Sequence, residues 1–579
     1  MVHSSDMQHA PITELVPELD RLAIDAMADW KVPGAAIAVV QDGEMVLAKA
    51  YGQRNVEVNL PVTTATRFLI GSITKSFTAT GVALLHNEGR IDWTKPVRDY
   101  IPEFRLHDPV ATERVTIRDL LCHQSGLPRH DWVHLPGDRA PAELLGVMRY
   151  LELSRDIRSA YQYNNLCYNV AGLLIERVSG QSYEAFIRAR LTDRLGMTID
   201  FTLDDLEASA NPARPYMMHE DTRLPAMRLQ IRTMAAGAIN ASVADLANWM
   251  RLHLGKGEFN GERLLPAALV DALHAPRVYE SQSEFAEFGA AHYGLGFQCQ
   301  NYRGDRVLFH GGGWPGWGAR MTLVPDFGIG VAILTNRNPS DVLGTLTWYI
   351  IDRLRGREPV DWHERFRKRR EQALAQMQAD KNAREKVRHT NTRPAHDLAA
   401  YAGDYEHPAY GLMSIKEQGG ALHWSWRGMF AAMTHRHYET FELPEAPDRL
   451  LPDWLAVTFL TDREGNIVSL SAPLEPMVKD IMFVRLAAGD CTDAAFRARC
   501  VGAFESGPTV HRVTLDAEGQ LVLKPANQPA YRLAPQHGRR FRIVELEGFV
   551  VEFRGEGTIV DEIIFHQPNG TFVAKRVVD

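Results

Sequence analysis

The spacing of apolar and polar positions divides the chain into two regimes. From Pro11 to Trp30, Leu15, Leu19, Leu22, Ala26 and Met27 recur at helical intervals and predict a helix. Val32-Pro-Gly-Ala-Ala-Ile-Ala-Val-Val then reads as an apolar strand, Asp42-Gly43 as a hairpin turn, and Glu44 to Tyr51 as the returning strand. Between Phe68 and Arg90, Ile73, Phe77, Leu84 and Leu85 again follow the helical period, and Gly89 stands where the helix should stop. Thr116 to Pro128 reads as a short helix ending in a turn. Tyr161 to Gly180 reads as a polar, aromatic loop entering an apolar helix. Arg232 to Met250 is a small-residue turn and a helix capped by Ser242. From Val307, an apolar strand runs into His310 and three glycines. A second strand begins near Ala319 and a third spans Gly328 to Thr335, which predicts an antiparallel meander. The order of these elements indicates a mixed α and β domain.

After Leu354 the pattern changes. Trp362 to Arg388 is a charged helical stretch with Phe366, Leu374 and Met377 on one side, expected to be a solvated linking helix. Beyond Arg393, apolar and polar residues alternate between Gly, Asn and Asp turns, in two segments that resemble each other. Tyr401-Ala-Gly-Asp-Tyr405 matches Cys500-Val-Gly-Ala-Phe504, and Met482-Phe-Val-Arg-Leu486 matches Thr571-Phe-Val-Ala-Lys575. Two small antiparallel barrels follow from this repeat. The expected organisation is a first domain over 1–355, a helical linker over 356–393, and barrels over 394–487 and 488–579.

Size and charge narrow the functional classes. A chain of 579 residues exceeds one compact core. A net charge of −8 argues against a nucleic-acid partner, and no apolar run approaches the length that spans a bilayer. The first residues lack a basic segment followed by an apolar one, so no secretory signal is expected. The five cysteines, Cys122, Cys167, Cys299, Cys491 and Cys500, are scattered without metal-type spacing. They read as reduced thiols of a cytoplasmic protein.

Three places carry candidate chemistry. Ser72 and Lys75 stand three residues apart at a helix start, which puts both on one face. A serine hydroxyl attacks only when a base takes its proton, and a lysine serves as that base only when desolvated. Tyr163 and Asn165 lie in the loop at the next helix start. Tyr163 can carry a proton, and Asn165 can orient the lysine or hold a substrate amide. The glycines after His310 leave room for a substrate backbone and a free N–H for an oxyanion. Each has a plainer reading: a capped helix, a packing tyrosine, a glycine-rich hairpin with a buried histidine. His123 reads as structural. No metal or other cofactor is expected. No H-E-x-x-H motif occurs, and its nearest match, His130-Asp-Trp-Val-His134, lies between Pro128 and Pro136.

Together the segments resemble the penicillin-recognising serine hydrolases, in the branch of class C β-lactamases, D-aminopeptidases and related esterases. That family carries S-x-x-K, then Y-x-N, then K-T-G or H-x-G. Here these are Ser72-Ile-Thr-Lys75, Tyr163-Asn-Asn165 and His310-Gly-Gly312, within a resemblance over residues 11–355. It implies an α/β serine β-lactamase-like domain with the site between a helical lobe and the sheet edge. By position it implies Ser72 as the acylated nucleophile, Lys75 and Tyr163 as the proton handlers, and the N–H groups of Ser72 and Gly313 as the oxyanion hole. Asn165, His310, Gly311 and Gly312 would bind or orient substrate. His310 stands where β-lactamases of this type have lysine, which points away from carboxylate-bearing β-lactams. Two lipocalin-like barrels after the catalytic domain resemble the D-aminopeptidase arrangement. There a loop of the last barrel, within 488–579, would reach over the cleft. The plainer role for the barrels is to stabilise or dimerise the enzyme, so a homodimer is also expected. The implied function is hydrolysis of amide bonds in short peptides, with D-residue specificity. The alternatives are a carboxylesterase of the same fold and a non-catalytic scaffold with a vestigial hydrolase domain.

Overall fold

The computed structural model describes residues 12–135, 137–219, 222–444, 455–546, 549–555 and 560–577. The first domain is built on a nine-stranded sheet. Helix α1 (Ile12–Asp29) leads into β1 (Gly34–Gln41), β2 (Glu44–Asn55) and the short β3 (Leu60–Pro61). The helical lobe follows, with α2 (Thr74–Asn87), α3 (Asn165–Ser179) and α4 (Val243–Leu254). The chain then returns to the sheet as β4 (Val278–Ser281), β5 (Ala291–Tyr293), β6 (Gln298–Tyr302), β7 (Asp305–Trp314), β8 (Trp317–Val324) and β9 (Ile329–Thr335). The spatial order is β4-β5-β6-β7-β8-β9-β1-β2-β3, with β9 pairing antiparallel to β1 through Ile37 opposite Ile333. The first hairpin thus closes against the last strand, and the helical lobe is inserted between them.

The continuous apolar run in β1 has a direct cause: both faces of the sheet are covered. Ala36, Ala38 and Val40 join the core beneath the helical lobe. Ala35, Ile37 and Val39 join a second core with α1 and with α5 (Val342–Leu354) on the other face. Helix α2 is buried on all sides from Thr74 to Leu85, because other helices of the lobe, α3 and α4 among them, pack around it. Trp249 of α4 stacks on Phe77 at 3.8 Å and donates its indole N–H to Ser76 Oγ.

The charged helix α6 (Trp362–Lys386) buries only Trp362 and Phe366; Leu374 and Met377 are exposed. The two β-rich segments form the expected small antiparallel barrels. The second, from Gly502–Ser506 to Gly570–Arg576, is closed by eight strands. The first, from Gly403–His407 to Ile481–Arg485, has nine strands. Its ladder starts at Met429–Ala432 and ends at Thr434–His437, so the chain itself crosses the seam at Met433. The repeat read in the sequence has a structural counterpart. Arg485 covers Gly403 beside the Tyr405 ring, and Arg576 covers Gly502 beside the Phe504 ring. The first barrel's core is continuous with that of the helical lobe, whereas the second barrel has a core of its own. Among the described residues, no helix is long and apolar enough to cross a membrane.

Candidate active site

Helix α2 is entered through a 3₁₀ turn, Gly71–Ile73, which sets Ser72 at the mouth of a cleft of about 510 Å³. Three residues on, Lys75 is fully buried, and its Nζ lies 2.9 Å from Ser72 Oγ, 2.9 Å from Asn165 Oδ1 and 2.7 Å from the Ala236 carbonyl. The amide and carbonyl oxygens can only accept. Lys75 Nζ donates to both of them and to Ser72 Oγ. Burial holds Lys75 well below the usual lysine range. The Arg129 charge pushes the same way, and Asp131 opposes both.

Tyr163 donates its O–H to Ser72 Oγ at 2.8 Å. Burial raises its pKa, while the Ser72 bond and Arg129 draw it down, so the phenol stays protonated at neutral pH. Its ring is placed by His123, which lies tilted by 35° at 4.3 Å between centroids. His123 is buried and accepts the Asn164 N–H at Nδ1, which makes it a neutral structural residue. Asn164 in turn caps α3 by accepting the Cys167 N–H, and this fixes Asn165 at the first helical position.

The orientation of the Asn165 amide is set by its other end. Asn165 Nδ2 donates to Asp131 Oδ1 at 3.2 Å, which leaves Oδ1 for Lys75. Asp131 also receives Arg129 Nε at 2.6 Å and His134 Nε2 at 3.1 Å. The His134 bond and the Arg129 charge hold its carboxyl well below the ordinary range despite burial. Arg129, Asp131 and His134 line the cleft. Sequence reasoning missed them as a group, because it weighed His130 to His134 only as a metal motif. The available signal was a charged and aromatic run between two prolines, the composition of a functional loop rather than of a core element.

The third segment is arranged differently from expectation. His310 is buried, accepts the Tyr293 O–H at Nε2 (2.9 Å) and donates from Nδ1 to the Gly311 carbonyl (2.6 Å). Burial and the nearby Lys75 lower its pKa to about 3. Both ring nitrogens are engaged inside the protein, and His310, Gly311 and Gly312 are not among the residues lining the cleft. The backbone that comes close to these glycines is the chain's own. A side chain at Gly312 would collide with the Ile70 carbonyl, and a Cβ on Gly71, at φ +53°, would lie 2.7 Å from the Gly313 nitrogen. Glycine here lets the Ser72 turn lie directly on β7. Gly313 and Ser72 both border the cleft.

The expected loop from 488–579 is also corrected. Among the described residues, the cleft is lined by residues between Gly71 and Pro339 and by none from the second barrel. The first barrel supplies no lining residue either, but it touches the site's loop: Tyr410, Arg427 and Glu475 bond the segment carrying Arg129 and Asp131.

A family model described as Beta-lactamase matches residues 19–355. The chain belongs to the beta-lactamase family. A second model, a domain of unknown function (DUF3471), matches residues 387–485, which span the first barrel. Unguisins hydrolase ungD' of Aspergillus campestris (strain IBT 28561) is 30% identical over 441 residues, covering 72% of this chain and 80% of that protein. Protein flp of Staphylococcus aureus (strain N315) is 25% identical over 326 residues, covering 55% of this chain and 63% of its own length. The octameric penicillin-binding protein homologue from Pyrococcus abyssi shares the fold, with a TM-score of 0.54 at 23% identity over 81% of this chain and 99% of its own. Membership of the beta-lactamase family supports a hydrolytic function. The link is to the family as a whole and does not single out its D-aminopeptidase branch.

Proposed function

We propose that this beta-lactamase family member is a serine hydrolase that cleaves amide bonds of short peptides through an acyl-enzyme on Ser72. The observation that carries the reading is a pair of hydrogen bonds to one hydroxyl: Ser72 Oγ meets both Lys75 Nζ and the Tyr163 O–H. In this scheme the neutral Lys75 takes the Ser72 proton as Oγ attacks the carbonyl carbon. The N–H groups of Ser72 and Gly313 receive the oxyanion. Tyr163 relays a proton to the leaving nitrogen, the amine departs, and water releases the acid by the reverse transfer. Burial disfavours the charged form of both groups, lowering Lys75 and raising Tyr163, which suits a base and a proton donor on one hydroxyl.

The substrate class follows from the lining. Trp132, Leu135, Met217, Leu229, Ile231 and Trp314 give the cleft an apolar wall. The nearest cation, Arg129, is already paired with Asp131. An uncharged acyl side chain suits this wall better than a carboxylate. A relative named for hydrolysing unguisins adds support for a hydrolase.

The test is a rate panel of L- and D-aminoacyl amides, short peptides and p-nitrophenyl esters on wild type and Ser72→Ala. Amide hydrolysis that is lost in the variant is expected, and the D-residue arm examines the stereochemical preference. Turnover of esters alone would replace the amidase reading with an esterase. No Ser72-dependent turnover of any substrate would leave a scaffold.

A further inference from the structure

The loop from Arg129 to Arg139 has two working faces. Its inner face presents Arg129, Asp131 and His134 to the cleft, and through Asp131 it sets the amide of Asn165 against Lys75. Its outer face is held by the first barrel, whose family model has no assigned function.

The hold is specific. His130 has left-handed backbone at φ 44°, an uncommon conformation for a side-chain-bearing residue, and three bonds fix it. Its backbone N–H donates to Glu475 Oε2 at 2.7 Å. Its ring donates from Nε2 to the Glu152 carbonyl at 3.0 Å, so Nδ1 accepts the Tyr410 O–H at 2.7 Å. Both Glu475 and Tyr410 are buried. Two residues further on, the barrel inserts the tip of a hairpin. Arg427 and Gly428 both have positive φ, 49° and 80°, as a tight two-residue turn requires. The Arg427 side chain is only 4% exposed. It donates to the carbonyls of Trp132 and Val133 and to the carboxylate of Asp138. A guanidinium with this many loop acceptors defines position as well as adhesion.

We propose that the first barrel is a working part of the hydrolase: Arg427, Tyr410 and Glu475 are positioning residues that hold the Arg129–Asp131 loop in register with Asn165 and Lys75. This rests on the Ser72 reading given above. The rival account is that these bonds merely join two domains, since the barrel and the helical lobe share one core. The two accounts differ in what they do to Lys75. The ionisable groups facing it are Arg129 and Asp131 of the loop, Tyr163 and Tyr168, and the buried His123 and His310. A displaced loop admits water and removes Arg129. Both changes favour the protonated amine, and the smaller loss of Asp131 opposes them. The acid limb of Ser72 acylation therefore moves to higher pH. A lost domain joint without a lost register moves stability alone.

The test uses the full chain and a neutral fluorophosphonate. Adduct formation at Ser72 is followed by intact mass across pH 5 to 9, with thermal unfolding measured alongside. Arg427→Met keeps the stem and removes the donors. Tyr410→Phe removes one hydroxyl. Phe459→Leu, in the barrel core against Tyr401 and Tyr405, is the matched stability control. Arg427→Met is expected to react about 10²-fold more slowly at pH 7, the size of effect that a misplacement of about 1 Å produces, with its acid limb displaced upward. Tyr410→Phe is expected to react about three- to tenfold more slowly, as for one lost hydrogen bond. Phe459→Leu should keep the wild-type rate and limb. If both loop variants acylate like wild type, or slow only as much as the control at equal loss of stability, the positioning role is overturned. If wild type itself forms no Ser72 adduct, the hydrolase reading fails and this proposal with it, a result distinct from the first.

Discussion

Arg129 is predicted to tune the basicity of Lys75, and Arg129→Met should expose this. Lys75 Nζ lies 4.8 Å and the Arg129 guanidinium carbon 4.9 Å from the centroid of the same Tyr163 ring. The two charges are thus no more than about 10 Å apart, and at an effective dielectric constant of about 20 they repel by about 1.7 kcal/mol or more. Two features reduce it. Asp131 lies 2.6 Å from Arg129 and offsets its field, and the Arg129 side chain is 53% exposed, so solvent screens it. The sign is fixed: removing a neighbouring cation stabilises protonated Lys75, raises its pKa, and moves the acid limb of acylation to higher pH. Below the limb, the variant should react about three- to tenfold more slowly, and above it at a rate near wild type. The measurement is the pH dependence of fluorophosphonate labelling, read as the midpoint of the limb rather than its height. A midpoint that stays in place or moves to lower pH would refute the electrostatic argument.

Further outcomes follow from the same geometry. Lys75→Ala and Tyr163→Phe should each reduce turnover by at least about 10³-fold, and the double variant should be little worse, because both act on one proton; steady-state kinetics that show multiplying losses would separate them. Gly312→Ala should lower stability by about 1–3 kcal/mol in urea unfolding and displace the Ser72 turn, since the new methyl meets the Ile70 carbonyl. His253 and His310 fold neutral, with pKa values lowered to about 3 from 6.5. The stability they contribute is complete above pH 6.5 and is lost as the pH falls toward 3, because only the unfolded chain binds those protons. These two supply about 2.7 kcal/mol per pH unit near pH 5, on top of a contribution of the same sign from the buried His123 and His274, and His310→Gln should remove about 1.4 kcal/mol per pH unit of the measured slope. Deleting residues 488–579 should leave acylation and chain-length preference unchanged, because that barrel has a separate core and none of its described residues lies in the cleft.

Much of the scaffold was legible because its causes are local. The helical period around Phe77, the cap of α4 at Ser242 and the two barrel repeats are each written in a short window of sequence. Ser72, Lys75, Tyr163 and Asn165 come together because two helix starts are built to face one another. What the sequence did not disclose depends on contacts over long separations. Whether His310 faces substrate or the interior turns on Tyr293 and on how closely Ile70 lies on β7. Which barrel holds the cleft's loop turns on Arg427 and Glu475 meeting a segment some 290 to 345 residues away. Asp131 escaped notice for the same reason: its role is defined by Asn165, and no local pattern couples them.

The central claim is that Ser72 is an activated nucleophile, and covalent labelling tests it most directly. A neutral fluorophosphonate should add once to the full chain at pH 8, at Ser72 by peptide mapping, and fail to add to Ser72→Ala or Lys75→Ala. An adduct at another residue, or labelling that persists in Ser72→Ala at the wild-type rate, would contradict the account.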